Sequence, residues 1–183
     1  MSDFDDLLVT LKKTAAVLRE ADVPFLLGGG LAAWARGGPE TEHDLDLMVP
    51  PAEADRALAA LHAAGYRTAK PPEDWLYKAW AGESLVDIIF RPSGVEVDDA
   101  MFERADELDV HAVRMRVMSL EDVMSTKLLA LREHELDYDN ALEVARALRE
   151  QVDWATVQER TRESPYARAF FYLAGELGIV DPV

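Results

Sequence analysis

Two aspartates lie two positions apart in a short apolar segment, residues 44–49. In an extended strand successive side chains point to opposite faces, so Asp44 and Asp46 share one face, and Leu45 and Leu47 share the other. Two carboxylates on one face of an otherwise apolar strand repel each other. A hard divalent cation would relieve this repulsion, and Mg²⁺ is commonly held by one or two carboxylates plus substrate phosphates. The pattern indicates a candidate metal site, although a solvated strand end has the same pattern.

A third aspartate, Asp87, lies within a later apolar segment, residues 85–90. A carboxylate among apolar side chains is costly to bury unless it is paired, hydrogen-bonded or bound to a metal. One interpretation is that Asp87 caps a neighbouring loop. The other is that Asp87 is the third carboxylate of the site that contains Asp44 and Asp46.

Three consecutive glycines, Gly28, Gly29 and Gly30, follow an apolar run at 23–27 and precede a short helical pattern at 31–36. Backbone N–H groups in a turn without Cβ atoms can approach a phosphate closely, and the start of the following helix favours an anion. A glycine-rich turn on its own is more often only a turn. Its position shortly before the acidic strand favours the phosphate-binding hypothesis.

The order of these features resembles the signature of the polymerase-β-type nucleotidyltransferase superfamily, in particular its minimal, antibiotic-type and toxin-type (AbiEii-like) members. In that signature an apolar strand leads into Gly-Gly or Gly-Ser, and a spacer separates the glycines from Asp-x-Asp. Gly29 and Gly30 match the glycine pair, and thirteen residues, 31–43, separate them from the first aspartate. Asp44 and Asp46 match the metal-binding pair.

The resemblance implies transfer of a nucleoside monophosphate from an NTP to an acceptor hydroxyl, with release of pyrophosphate and with one or two Mg²⁺ ions as cofactor. It implies that Gly29 and Gly30 hold the triphosphate. Asp44, Asp46 and Asp87 would hold the metal, and Asp87 would also take the proton from the attacking hydroxyl.

Two basic residues are candidates for contacts to the nucleotide phosphates. Lys127 lies on or beside the apolar face of a helix that opens at Ser119, where a lysine can also extend its ammonium to solvent. The segment 119–131 resembles the helix that follows the catalytic sheet in antibiotic-type and toxin-type nucleotidyltransferases, in which such a lysine recurs. Arg36, at the end of the helical pattern after the glycines, is the second candidate.

The hydrophobic periodicity predicts an α/β fold with a small mixed sheet of four or five strands and helices packed mainly on one side. We expect a catalytic core at 1–118 and a helical C-terminal section, packed on this core, at 119–183. Segment 91–111 is predicted to be a solvated connection with a short helix, and the last strand is expected at a sheet edge. Outside the signature region, helices are predicted at 3–20, from 54, at 99–106, from 119, at 139–150 and twice within 152–178, and strands at 66–69, 75–79, 84–90 and 112–118.

The composition limits the class of protein and its partners. The chain has 183 residues, of which 49% are hydrophobic and none is cysteine, so we expect a packed core and no thiolate metal site. The formal net charge of −16 disfavours an extensive nucleic-acid surface. Because no apolar run reaches membrane-spanning length and the N-terminal segment is acidic, we expect a cytoplasmic protein without membrane contact.

The sequence leaves the acceptor open. A small molecule such as an aminoglycoside or lincosamide antibiotic, the 3′ end of tRNA, and a protein hydroxyl are the three alternatives that the resemblance implies. The last two would make the chain part of a toxin–antitoxin system with a cognate antitoxin or toxin protein as partner. A relative without catalytic activity, which only binds nucleotide or a partner protein, is the alternative from a different functional class.

Overall fold

The computed structural model describes residues 3–41 and 44–181, and in these residues the chain forms eight α-helices and seven β-strands. No helix in these residues combines the length and the apolarity that crossing a membrane requires. The helices are α1 Asp3–Glu20, α2 Gly29–Trp34, α3 Ala54–Ala63, α4 Asp99–Arg104, α5 Leu120–Ala130, α6 Tyr138–Leu148, α7 Trp154–Thr161 and α8 Pro165–Glu176. The strands are β1 Leu26–Leu27, β2 Leu45–Met48, β3 Arg67–Ala69, β4 Leu76–Ala81, β5 Ser84–Ile89, β6 Asp106–Val110 and β7 Val113–Val117.

The strands form one mixed sheet in the order β3-β4-β5-β2-β1-β7-β6. The acidic strand β2 is central: it pairs in parallel with β5 and antiparallel with β1. β1 in turn pairs in parallel with β7, while the β4–β5 and β6–β7 pairs are antiparallel. The mixed α/β class is as predicted, but the predicted number of four or five strands is wrong, because the described residues contain seven.

The strand that the sequence prediction missed is β6, in the segment taken for a solvated connection. Its composition, Asp-Glu-Leu-Asp-Val, resembles a loop, yet its acids face the arginines of β7: Glu107 pairs with Arg116 and Asp109 with Arg114. Opposite charges directly across an antiparallel pair stabilise the pairing. Because β6 adds to the far side of β7, β7 lies inside the sheet, and the prediction that it forms an edge is wrong.

An apolar face of the sheet is covered by the first and third helices. The apolar positions predicted for α1, among them Leu11, Ala15 and Leu18, are fully buried, and α1 packs against α3. Both helices contact β5. Leu47 on β2 and Ile88 on β5 are also fully buried, and each follows an aspartate in its strand. Side chains alternate along a strand, so burial of the leucine and isoleucine directs the preceding aspartates to the opposite face.

The C-terminal helices are tied to the rest of the chain through Asp122, a buried carboxylate near the start of α5. Arg104 from α4 donates to both of its oxygens at 3.0 Å, and Arg160 from α7 donates to Oδ1 at 2.9 Å. Ser119, the N-cap of α5, donates to Oδ2 at 2.9 Å. One carboxylate therefore joins α4, α5 and α7.

Candidate active site

Asp46 and Asp87 lie side by side on neighbouring strands. They are register partners in the parallel pair of β2 and β5, so their side chains leave the same face of the sheet. Adjacent strands are about 4.8 Å apart, which brings the two carboxylates within reach of a shared cation. Asp44 precedes β2 and is exposed. The structure therefore brings together Asp46 and Asp87, as the sequence predicted, and leaves Asp44 at the open end of the pair.

The pKa values of Asp46 and Asp87 are both raised in this cluster. Burial, reinforced by the negative charges of Asp87 and Asp44, raises the pKa of Asp46 to about 7. Burial also raises the pKa of Asp87, against the opposing effect of Lys78. Within the described residues no hydrogen bond or ion pair reaches the Asp46 carboxylate. Asp46 is thus a half-buried acid whose charge is held at a cost and is not compensated by a direct protein partner.

Lys78 is a residue of this cluster that the sequence interpretation missed. Its Nζ donates to Oδ1 of Asp87 at 2.9 Å and to Oδ2 at 3.2 Å. The sequence contained the information needed to find this pair. Ala81 pairs with Ser84 next to the turn, and three residues further from the turn on each strand Lys78 lies opposite Asp87. A cross-strand ion pair therefore explains how the aspartate is tolerated in an apolar strand.

The glycine turn lies directly against the acidic strand. Gly29 has a φ of +55°, and a Cβ at this position would lie 1.8 Å from Oδ2 of Asp46. A Cβ on Gly30 would lie 2.7 Å from Oγ1 of Thr41. The backbone N–H of Gly28 donates to the carbonyl of Asp46 at 2.9 Å. Close approach therefore requires glycine at both positions: a side chain at Gly29 would collide with the Asp46 carboxylate, and one at Gly30 with Thr41.

A cavity of about 850 Å³ opens over the turn and the acidic strand. Its lining includes Gly29, Gly30 and Asp46, together with Lys127 from α5 and Asn140 from α6. Cavities that bind drug-sized ligands typically measure about 300–1,000 Å³, so this one has room for a nucleotide. Asp44 and Asp87 do not line the cavity.

Lys127 lines the same cavity as Asp46 and interacts electrostatically with it. Its ammonium donates to Oδ1 of Asn140. Burial lowers the pKa of Lys127, although the charges of Asp46 and Asp137 oppose the change. A desolvated ammonium in a cavity interacts strongly with an anionic group, because little water screens it. Lys127 therefore lines the cavity that Asp46 also lines, and its contact to phosphate stays a prediction.

Arg36 is placed elsewhere. Its guanidinium donates to the carbonyls of Val117 and Met118 at 3.2 and 2.8 Å and to Asp106 at 2.9 Å. It does not line the cavity. Arg36 therefore fastens the end of α2 to the end of β7.

The donor set of the cluster is suited to a hard divalent cation. Asp44, Asp46 and Asp87 offer carboxylate oxygens, the ligands that Mg²⁺ prefers. Burial, and after it the like charges of Asp87 and Asp44, raise the pKa of Asp46, and a bound cation would offset that penalty. Within residues 3–41 and 44–181, however, no three acidic or histidine side chains converge as a ready-made metal site. The cluster fits a cation that Asp44 and Asp46 hold together with substrate oxygens.

Comparison with known families agrees with this site. A family model described as "Uncharacterised nucleotidyltransferase" matches residues 6–176. The chain belongs to this nucleotidyltransferase family, and it is therefore an enzyme of that class. No curated protein matches the chain.

Solved structures with a similar fold include antibiotic-resistance proteins. The antibiotic-resistance factor ANT(2″)-Ia is 20% identical with a TM-score of 0.66, over 93% of this chain and 95% of that chain. The same protein in complex with adenylyl-2″-tobramycin gives a TM-score of 0.61 at 20% identity, over 86% and 98% of the two chains. The lincosamide antibiotic adenylyltransferase LnuA, with lincomycin bound, gives 0.55 at 14% identity, over 78% and 96%. At these identities the likeness shows the fold.

Proposed function

We propose that this enzyme transfers a nucleoside monophosphate from an NTP, with ATP as the first candidate, to the hydroxyl of a small molecule in a Mg²⁺-dependent reaction. The observation that carries the proposal is the placement of Asp46 next to Asp87, directly under a glycine turn, at the wall of a cavity that Lys127 also lines. In the reaction the acceptor oxygen bonds to the α-phosphorus, and the bond from that phosphorus to pyrophosphate breaks.

Asp44 and Asp46 would hold Mg²⁺. When bound, the ion supplies charge neutralisation at the phosphate oxygens and a lowered pKa of the acceptor hydroxyl. Gly29 and Gly30 leave the backbone open to close approach of the triphosphate. Asp87 accepts the proton that the acceptor hydroxyl loses, the role that its place beside Asp46 favours.

Lys127 binds the triphosphate from the opposite side of the cavity. Its ammonium is desolvated and its stem is fixed on α5, so it offers a positioned charge to the phosphate oxygens. Asn140 holds that ammonium in place through its side-chain oxygen. The helical C-terminal section thereby contributes directly to the substrate site, although the acids lie on the sheet.

A cationic small molecule is the acceptor that we propose. The cavity wall carries more acids than bases, since Glu40, Asp74, Glu135 and Asp137 join Asp46 there against Arg91, Lys127 and Arg132, and Trp75 adds an aromatic surface. Acids beside an aromatic ring suit an amine-bearing molecule. LnuA is named as a lincosamide adenylyltransferase, and ANT(2″)-Ia has been seen with an adenylylated tobramycin, so the fold accommodates such acceptors. The net charge of −16 works against a tRNA acceptor.

The test is to incubate the protein with Mg²⁺, each α-³²P-labelled NTP in turn, and three sets of acceptors: an aminoglycoside and lincosamide panel, bulk tRNA, and lysate protein. We expect label in a small molecule, and we expect Asp46→Asn to abolish it. Asp109→Asn, an exposed acid on β6, is the matched control and should leave transfer unchanged. Label in tRNA or protein would replace the proposed acceptor with the toxin–antitoxin alternative. No Mg²⁺-dependent consumption of any NTP would contradict the proposal itself.

A further inference from the structure

The Lys78 side chain lies beside Asp87, on the side of Asp87 where β4 pairs with β5. It lies on β4 directly opposite Asp87 in the antiparallel pair with β5. Its ammonium contacts both carboxylate oxygens, at 2.9 and 3.2 Å. The Lys78 and Asp87 side chains are 30% and 12% exposed, so the ion pair is mostly buried. A buried pair is screened by salt much less than a surface pair.

The pairing changes which acids remain available to a metal. Both oxygens of Asp87 already accept a hydrogen bond from one ammonium, so a cation at Asp87 has to compete with a charge that is part of the protein. Asp46 and Asp44 have no such cation bonded to them among the described residues. Three carboxylates with one ammonium leave an excess of negative charge that a single divalent ion neutralises.

Lys78 is also held where it stands by the sheet. β4 lies between β3 and β5, with Lys78 paired to Ala69 on one side and Asp87 on the other. The alanine offers no alternative acceptor on its side chain. No other ion pair involves Lys78 in the part of the chain that the structure describes. Displacing the ammonium would therefore leave it without an anionic partner in a mostly buried position, which is unfavourable.

We propose that Lys78 takes the place of a second divalent cation beside Asp87, so that the site binds one divalent ion, held by Asp44 and Asp46, instead of two. The inference rests on the proposed function, because it concerns the metal of that reaction. In this arrangement Asp87 stays free of the metal and keeps its role as the proton acceptor. Lys78 is a positioning residue: it acts through Asp87 and does not touch the substrate.

The test counts metal ions and does not depend on activity. Mn²⁺ replaces Mg²⁺ at carboxylate sites and its free concentration can be followed by electron paramagnetic resonance. The intact chain is titrated with Mn²⁺ at pH 8, as wild type, Lys78→Met and Lys78→Arg. Lys70→Met is the matched control, since Lys70 pairs with the exposed Asp55 away from the cluster. Circular dichroism confirms that each variant is folded.

We expect one Mn²⁺ per chain for the wild type, Lys78→Arg and Lys70→Met, and two for Lys78→Met. The double variant Lys78→Met/Asp87→Asn should return to one, because the added ion depends on the released carboxylate. Two ions in the wild type, or an unchanged count in folded Lys78→Met, would overturn the inference while leaving the proposed function in place. A wild type that binds no Mn²⁺ would overturn this inference, and Mg²⁺-dependent NTP consumption then decides separately whether the proposed function fails as well.

Discussion

Substitution of Gly29 by alanine tests whether the glycine turn exists to make room for the Asp46 carboxylate. The added Cβ would lie 1.8 Å from Oδ2 of Asp46, whereas carbon atoms and their non-bonded neighbours rest at about 3.5 Å. The new Cβ is fixed to the backbone of the turn, so the Asp46 carboxylate has to move away by roughly 1.5 Å to restore a normal contact distance. A misplacement of about 1 Å in a reacting constellation can reduce the rate about 100-fold. We expect the kcat of Gly29→Ala to fall at least about 100-fold.

The loss of stability should be moderate by comparison. Gly29 has a φ of +55°, and an alanine in this left-handed region costs about 1–2 kcal/mol. For a domain of this size that corresponds to a Tm lower by about 2–8 °C. Thermal unfolding followed by circular dichroism measures this change, and pyrophosphate release under saturating NTP measures the rate.

Gly178→Ala provides the matched control. Gly178 has a φ of +64°, close to that of Gly29, but nothing lies within 4 Å of a Cβ built on it. Both variants carry the left-handed backbone penalty, and Gly29→Ala adds the clash with Asp46, so Gly29→Ala should lose at least as much stability as Gly178→Ala, and only Gly29→Ala should lose activity. A Gly29→Ala enzyme with the wild-type kcat, or a Gly178→Ala enzyme with an equal loss of activity, would refute the reasoning.

Three further predictions follow from the charges in the structure. The pKa of Asp46 is raised from 3.8 to about 7, so between these pH values the native state holds a proton that the unfolded chain lacks. The free energy of unfolding therefore falls as the pH rises through this window. Asp46→Asn should reduce this fall, measured as the difference between urea unfolding at pH 5 and at pH 8. Asp122→Asn should lower the free energy of unfolding by about 3 kcal/mol, because it removes the charge that faces Arg104 and Arg160 in a buried network, and urea unfolding checks this. Lys127→Met should weaken NTP binding about 10- to 100-fold in calorimetric titration, because it removes a charged hydrogen bond to phosphate. It should keep the wild-type Tm, because Lys127 forms no ion pair within the described residues.

Local patterns predicted the parts of the site that depend on neighbours in the chain. Alternation along the acidic strand predicted that Leu45 and Leu47 lie on the face opposite Asp46, and both leucines are fully buried. The strands predicted at 75–79 and 84–90 form the antiparallel pair of β4 and β5, and Asp87 lies in the second of them. The convergence of the two acids followed from the family resemblance and is now seen as the parallel pairing of β2 with β5.

Other features depend on partners far away in the sequence and could not be read from a local pattern. β6 looks like an acidic loop until the arginines of β7 are placed opposite its acids. Arg36 looked available for phosphate, because nothing nearby in the sequence shows that its guanidinium reaches the carbonyls of Val117 and Met118. The composition of β4 does not single out Lys78. Its role becomes visible only when the register of the β4–β5 pair places it opposite Asp87.

The most direct test of the account measures Mg²⁺-dependent pyrophosphate release by wild type, Asp46→Asn and Asp87→Asn at pH 8, with Tm recorded for each protein. The account predicts that both variants remain folded and that both lose at least about 1,000-fold in rate, since one removes a metal ligand and the other the proton acceptor. A folded Asp46→Asn or Asp87→Asn protein that releases pyrophosphate at the wild-type rate would contradict it.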